Sequence, residues 1–359
     1  MSRTRARDRF ESTCRQIAPK LLRATEATCD RLADASDDEA LHDFRVAARR
    51  LRTHLEAQRD HLGRGRSKRL RKALSDLVTS TNASRDFEVH REWLQEQISQ
   101  KGLPTLQREG LEWMLAERYS QQDPALRQAT TALIRSEFTR ICQQLETEDW
   151  LAAADGPTGA TDQGMTAAAH EAICKNLRKL RTQLARIRSV DDVQATHRAR
   201  LAVKRLRYLL EPLRLEAQGA PRVIEGMKQL QDILGDLRDL QILETQITVE
   251  VGRAAGRWSD QLVRTGAHDP RVAAITRGTP ESRTCYALAA GMQRVRREEQ
   301  RQFDRAKKRW LKGHAEALIA RIEKVANHLR PSHRNALRKT RKVAVSTATD
   351  AREPWQGDR

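Results

Sequence analysis

Four residues able to hold an anion occur twice in the chain at one spacing. His42, Arg45, Arg49 and Arg52 recur as His197, Arg200, Lys204 and Arg207, and the match continues through Arg50/Arg205 and Leu51/Leu206 to Leu55/Leu210 and Glu56/Glu211. At about 100° per residue, positions i, i+3, i+7 and i+10 share a narrow sector of a helix. Phe44, Ala48, Leu51 and Leu55 fall on another sector, as do Ala199, Val203, Leu206 and Leu210 in the second copy. Each segment is expected to be an amphipathic helix whose polar stripe carries one sign of charge. Like charges three and four residues apart repel and mildly destabilise a helix. A simple solvated face is a poor reason to accept that cost twice, with histidine at the same starting position. The pattern points to a two-sided anion site, in which planar guanidinium groups grip oxyanions through paired hydrogen bonds and histidines donate when protonated. Glu56 and Glu211 close the stripes and are placed to pair with Arg52 or Arg49 and with Arg207 or Lys204. Arg50 and Arg205 lie off the stripe.

The elements needed to position these residues are helices. Alternating β-branched runs and hairpin dipeptides are absent, so the chain is expected to be all-α. Ser36-Asp37-Asp38-Glu39 reads as the start of the first basic helix, with acid at its positive end, and Gly63 and Gly65 as its end. A helix over 66–80 follows, then a turn at Asn82-Ala83-Ser84-Arg85-Asp86 and a helix to 99. Lys101-Gly102 with Pro104, and Gln122-Asp123-Pro124, punctuate two more. Ala154 to Ala160, rich in Gly, is the clearest linker. In the second half a helix at 166–187 precedes the second basic helix at 191–216. Arg238-Asp239, ending Leu-Gln-Asp-Ile-Leu-Gly-Asp-Leu-Arg-Asp, falls near where the repeat places Arg85-Asp86. Residues 256–280, with three glycines and two prolines, read as a loop or broken helix, and 281–327 as one long helix. A repeat of this period predicts two copies of one structural unit: half-repeats over 7–150 and 166–327, a linker over 151–165, and a basic then polar tail over 328–359.

The 359 residues carry 67 Lys+Arg against 48 Asp+Glu, a formal net charge of +19, which predicts attraction to a polyanion. Aromatic residues make up only 4% and form no ladder on which bases of a single strand would stack. The five cysteines include no CxxC pair and indicate neither a zinc site nor a disulfide framework. The arginine-rich N-terminus has no apolar stretch of a secretory signal, and no segment is apolar enough to span a bilayer. A cytoplasmic protein without membrane association is expected.

His-x-x-Arg-x-x-x-Arg-Arg-Leu-Arg, its copy ending Lys-Arg-Leu-Arg-Tyr, and Leu-Gln-Asp-Ile-Leu-Gly-Asp-Leu-Arg-Asp together resemble the CHAD family, named for its histidines and α-helical domain. The resemblance covers about residues 7–327. It implies an all-α fold of two pseudo-symmetric helical bundles around a central basic channel that binds inorganic polyphosphate. By position, the implied binding residues are His42, Arg45, Arg49, Arg52, His197, Arg200, Lys204, Arg207 and Tyr208, with Lys68, Arg71, Lys72 and Lys228 as further contacts from the helices that follow. The Glu-x-Glu-x-Lys strand of the triphosphate-tunnel domain that precedes many family members does not occur before residue 42. The turn at 79–86 lacks the Leu-Gly of its partner.

Polyphosphate carries about one charge per phosphate and no base to read, so dense, fixed cations suffice, and counterion release makes binding steeply salt-dependent, as for nucleic acids. Arginine crowding lowers a histidine pKa and bound phosphate raises it, so tighter binding is expected at mildly acidic pH. Polyphosphate granules or polyphosphate-metabolising enzymes are the implied partners. Two rivals remain. Nucleic acid is one, for which the tail cations Arg330, Arg334, Arg338, Lys339, Arg341 and Lys342 would serve without any named motif. The other is an enzyme using a phosphohistidine or a bound metal, for which acid/base partners and metal-ligand spacings are not evident. No catalysis, cofactor or metal is expected.

Overall fold

A computed structural model of the chain describes residues 3–34, 36–37, 39–60, 63–120, 124–147, 161–215, 218–266, 279–311 and 313–328. Among them there are α-helices and short helical turns and no strand. The helices are α1 (Arg3–Arg31), α2 (Ala40–Ala57), α3 (Arg64–Ser80), α4 (Asn82–Ser99), α5 (Thr105–Ser120), α6 (Pro124–Thr147), α7 (Thr161–Leu184), α8 (Val193–Leu210), α9 (Ala220–Gly266), α10 (Pro280–Ala306) and α11 (His314–His328). The fold is all-α.

Three apolar clusters hold the helices. The first gathers α1, α2, α3 and α6 around Phe44, Leu51, Leu55, Leu74, Ile134 and Phe138. The Phe44 and Phe138 rings meet edge to face at 5.6 Å, an arrangement that adds to their burial. The second gathers α7, α8, the first half of α9 and α11, with Leu180, Val203, Leu206, Leu230 and Ile322 inside it. Each contains one of the two basic helices, apolar face inward, as the periodicity predicts: Phe44, Ala48, Leu51 and Leu55 are at most 1% exposed, and Ala199, Val203, Leu206 and Leu210 are fully buried. The third cluster joins α4 and α5 to the second half of α9 and to α10. There α5 and α10 approach closely because two glycines face each other: a Cβ on Gly110 would collide with the Ala287 carbonyl, and one on Gly291 would touch the Gly110 backbone.

Several local expectations give way to longer-range structure. No turn occupies 82–86, because Thr81 alone separates α3 from α4. Arg238-Asp239 likewise lies inside α9, a helix of 47 residues that reaches Gly266 and so contains Gly256. Its row of apolar residues from Val223 to Ala254 is buried throughout, and that burial outweighs the roughly 1 kcal/mol each interior glycine costs. The expected single helix over 281–327 is two, divided by a π-turn over Lys307–Leu311 and by Gly313 at φ 113°. Asp37 accepts the Glu39 N–H at the start of α2, at 3.2 Å, and also binds Arg31, at 2.8 Å. Gly63, at φ 83°, is the N-cap of α3, and Gly65 lies within that helix. The linker at 154–160 and the tail cations from 330 onward lie outside the described residues.

Candidate anion-binding site between two basic helices

Helix α2 packs directly on α8, and three contacts near their C-terminal ends fix the pairing: His54 on the Tyr208 carbonyl, and Arg50 on Glu211 and on the Tyr208 ring. His54 is buried, with its Nε2 2.8 Å from the Tyr208 carbonyl. Burial pushes its pKa down to about 4, so the ring is neutral and donates that hydrogen bond. Arg50 crosses from α2 to bind Glu211 at 3.0 Å, and Arg207 binds the same carboxylate at 3.2 Å. The two guanidiniums also flank the Tyr208 ring, 5.7 and 5.3 Å from its centroid, a cation–π arrangement. Glu211 therefore meets Arg207 as expected and Arg50 besides. Glu56 instead binds Arg59, three residues further along the chain, and Arg71 from α3.

This pairing assembles the basic stripes into one cluster. Lys204 is half-buried, and the charges acting on it are Arg49, Arg200, Arg207 and Arg45, two from each helix. Burial first, and those arginines second, bring its pKa down to about 6. Arg45 is only 4% exposed and is tied by Nη1 to the Thr81 hydroxyl and the Val78 carbonyl at the end of α3. Arg200 lies against α9, its Nε 3.5 Å from where a Cβ on Gly235 would stand. His197, half-buried, has its pKa lowered by burial and then by Arg238, Arg200 and Arg198. Among the described buried polar atoms, Arg200 Nε, His197 Nδ1 and Tyr208 Oη make no hydrogen bond.

The other candidate residues divide. Arg52 is half-buried and sits by Arg205 and Arg71, and the loss of water together with these like charges lowers its pKa. Lys68 and Lys72 are exposed on the same face of α3 as Arg71. Lys228 is exposed on α9, two turns before Gly235 on the same face. His42 is half-buried in the first turn of α2. Tyr208, at 2% exposure, lies beneath Arg50 and Arg207, so it supports guanidiniums rather than offering its ring to a ligand. Two cations outside the stripe join the constellation. Arg205 acts on both Arg52 and Lys179 of α7, and Arg238 acts on His197. One helix wheel cannot reveal either, because the partners come from neighbouring helices.

Among the described residues, no helix is long and apolar enough to cross a membrane. No curated protein matches the sequence. Among solved structures it is similar to the crystal structure of the CHAD domain from the plant Ricinus communis, at 22% identity and a TM-score of 0.49, over 81% of this chain and 91% of that one. The family model for the CHAD domain matches residues 16–248, a span that contains α2, α8 and every residue acting on Lys204, and the chain therefore belongs to the CHAD family.

Proposed function

We propose that the chain binds inorganic polyphosphate along the cluster that α2 and α8 build, as a receptor and not an enzyme. The observation that carries this is the convergence of Arg45, Arg49, Arg200 and Arg207 on Lys204. So many cations held together without a ligand repel one another, and a strand of phosphates would relieve that repulsion at several points at once. Membership of the CHAD family supports the same ligand. The charges acting on His197 are arginines, surroundings suited to an anion rather than to a general base oriented by a carboxylate. The burial of Tyr208 beneath two guanidiniums argues against base stacking and so against single-stranded nucleic acid. A cytoplasmic location, with targeting to polyphosphate granules or the scaffolding of polyphosphate-metabolising enzymes, is the cellular role that fits such a receptor.

Calorimetric titration with long-chain polyphosphate and with single-stranded DNA of equal charge tests this reading. The triple variant Arg49→Gln, Arg200→Gln, Lys204→Met spares Arg45, whose bonds to α3 are structural, and a melting curve checks its fold. Tight polyphosphate binding that collapses in a folded triple variant, with DNA much weaker, is the expected result. Equal binding of both polymers by wild type and variant alike would show a generic basic surface and overturn it.

A further inference from the structure

Among the five cations that converge where α2 packs on α8, Lys204 alone can give up its proton and become a nucleophile. Its amine sits one helical turn from Arg200 and from Arg207 on its own helix, faces Arg45 and Arg49 across the α2–α8 contact, and remains half-buried rather than sealed. Arg207 is engaged by Glu211 and Arg45 by Thr81. Arg200, whose Nε makes no hydrogen bond, is the nearest fork on the same helix able to take a phosphate. We propose that Lys204 is a modification site for acyl phosphates, its amine the nucleophile and Arg200 the phosphate clamp. This rests on the same anion site as the polyphosphate reading, used by a small phosphate ester instead of a polymer.

The chemistry follows from the placement. An ordinary lysine at neutral pH is almost wholly ammonium and has no lone pair to offer. Lys204, with its pKa near 6, is mainly neutral at pH 7, in the manner of lysines activated by desolvation and a neighbouring cation. The Nζ lone pair attacks the acyl carbon, and the bond from that carbon to the phosphate oxygen breaks. Phosphate leaves with the electron pair, and the proton shed by nitrogen passes to it, giving an amide and hydrogen phosphate. The Arg200 guanidinium on the phosphate both places the carbonyl and stabilises the leaving group. The product is neutral, so the cluster loses a cation that no later titration restores.

The test is to incubate the full chain at pH 7 with isotopically labelled acetyl phosphate and follow each lysine by peptide mass spectrometry. Lys228, Lys68 and Lys72 are internal standards because they are exposed. The larger neutral fraction exceeds the loss of nucleophilicity that lower basicity brings, as it does for thiols, so Lys204 should acylate about tenfold faster than the standards. p-Nitrophenyl acetate, which has no phosphate, should show a smaller preference for Lys204. Labelling of Lys204 no faster than Lys228, or the same preference with both donors, overturns the proposal. Calorimetry with polyphosphate on the same preparation separates the two readings. Binding without Lys204 labelling removes only this inference, and Lys204 labelling without binding removes only the polyphosphate reading.

Discussion

Polyphosphate binding should draw protons from solution, and Lys204 sets how many. In the free protein its pKa is about 6 against an ordinary 10.5, so at pH 7 about nine tenths of the chains carry it neutral. A bound polyanion offsets Arg45 and Arg49 from α2 and Arg200 and Arg207 from α8, and so restores the ammonium. The charges lying on these groups from α9 are Asp236 on Arg200 and Arg238 on His197, and from α7 Lys179 beside Arg205. Uptake at pH 7 should therefore approach about 0.9 proton from Lys204 alone, plus the share of His197. The affinity should fall by almost tenfold per pH unit above 6. Folding shows the opposite sign. The unfolded chain binds more protons than the native one between the two Lys204 pKa values, so this lysine's contribution to stability rises with pH across that window when no ligand is present. The assay is calorimetry at pH 7 in several non-phosphate buffers of different ionisation enthalpy, in which the slope of heat against that enthalpy counts protons. Lys204→Arg keeps the cation and abolishes its titration, so uptake should drop by about 0.9 and binding should lose most of its pH dependence. Wild type that takes up no proton, or a Lys204→Arg variant that takes up as many, would refute the reasoning.

Other perturbations test the scaffold and the electrostatics separately. Raising salt from 0.1 to 0.3 M should weaken polyphosphate binding by about 50-fold if five cations are engaged, by the single-strand relation, and the triple variant should show a shallower slope. His54→Ala leaves the Tyr208 carbonyl without its donor and opens a gap at the α2–α8 contact, so a loss of about 2–4 kcal/mol is expected in denaturant unfolding. In wild type, the depressed His54 pKa means that its contribution to stability is lost as pH falls from 6.5 towards 4, a loss His54→Gln should not show. Gly110→Ala should lower the melting temperature sharply through its clash with the Ala287 carbonyl, while leaving polyphosphate affinity below that temperature unchanged, because α5 and α10 lie in the third cluster and not at Lys204.

The cation stripes and the apolar faces opposite them were legible because both obey one helical period, which a sequence displays directly. Glu211 was assigned to Arg207 because that pair is local. Glu56 pairs off the stripe, with Arg59 just past the helix end and with Arg71 of α3, and the second of these no single helical period displays. The Arg-Asp segments read as turns through their small and polar residues. Burial of Leu234, Leu237 and Leu240 carries α9 straight through the second of them, and local propensity yields to such burial. The roles of Arg205 and Arg238 stayed hidden because they depend on how helices cross, which periodicity does not encode. Tyr208 was placed among the ligand contacts by position alone, and its depth beneath two arginines could not be seen before α2 was laid on α8.

The three apolar clusters close at different times during synthesis. The first draws only on residues 18–141 and can be complete while most of the chain is unmade. The third waits for Leu288 and Val295, and the second for α11, near residue 326. Domains fold as their parts emerge, so the stripe on α2 is seated early and the stripe on α8 late. The two are not locked into one cluster until the second core closes, after residue 326 has been made. Until then the nascent chain beside ribosomal RNA carries only the α2 half of the cation cluster, and the full density of positive charge arises once α8 is seated against it.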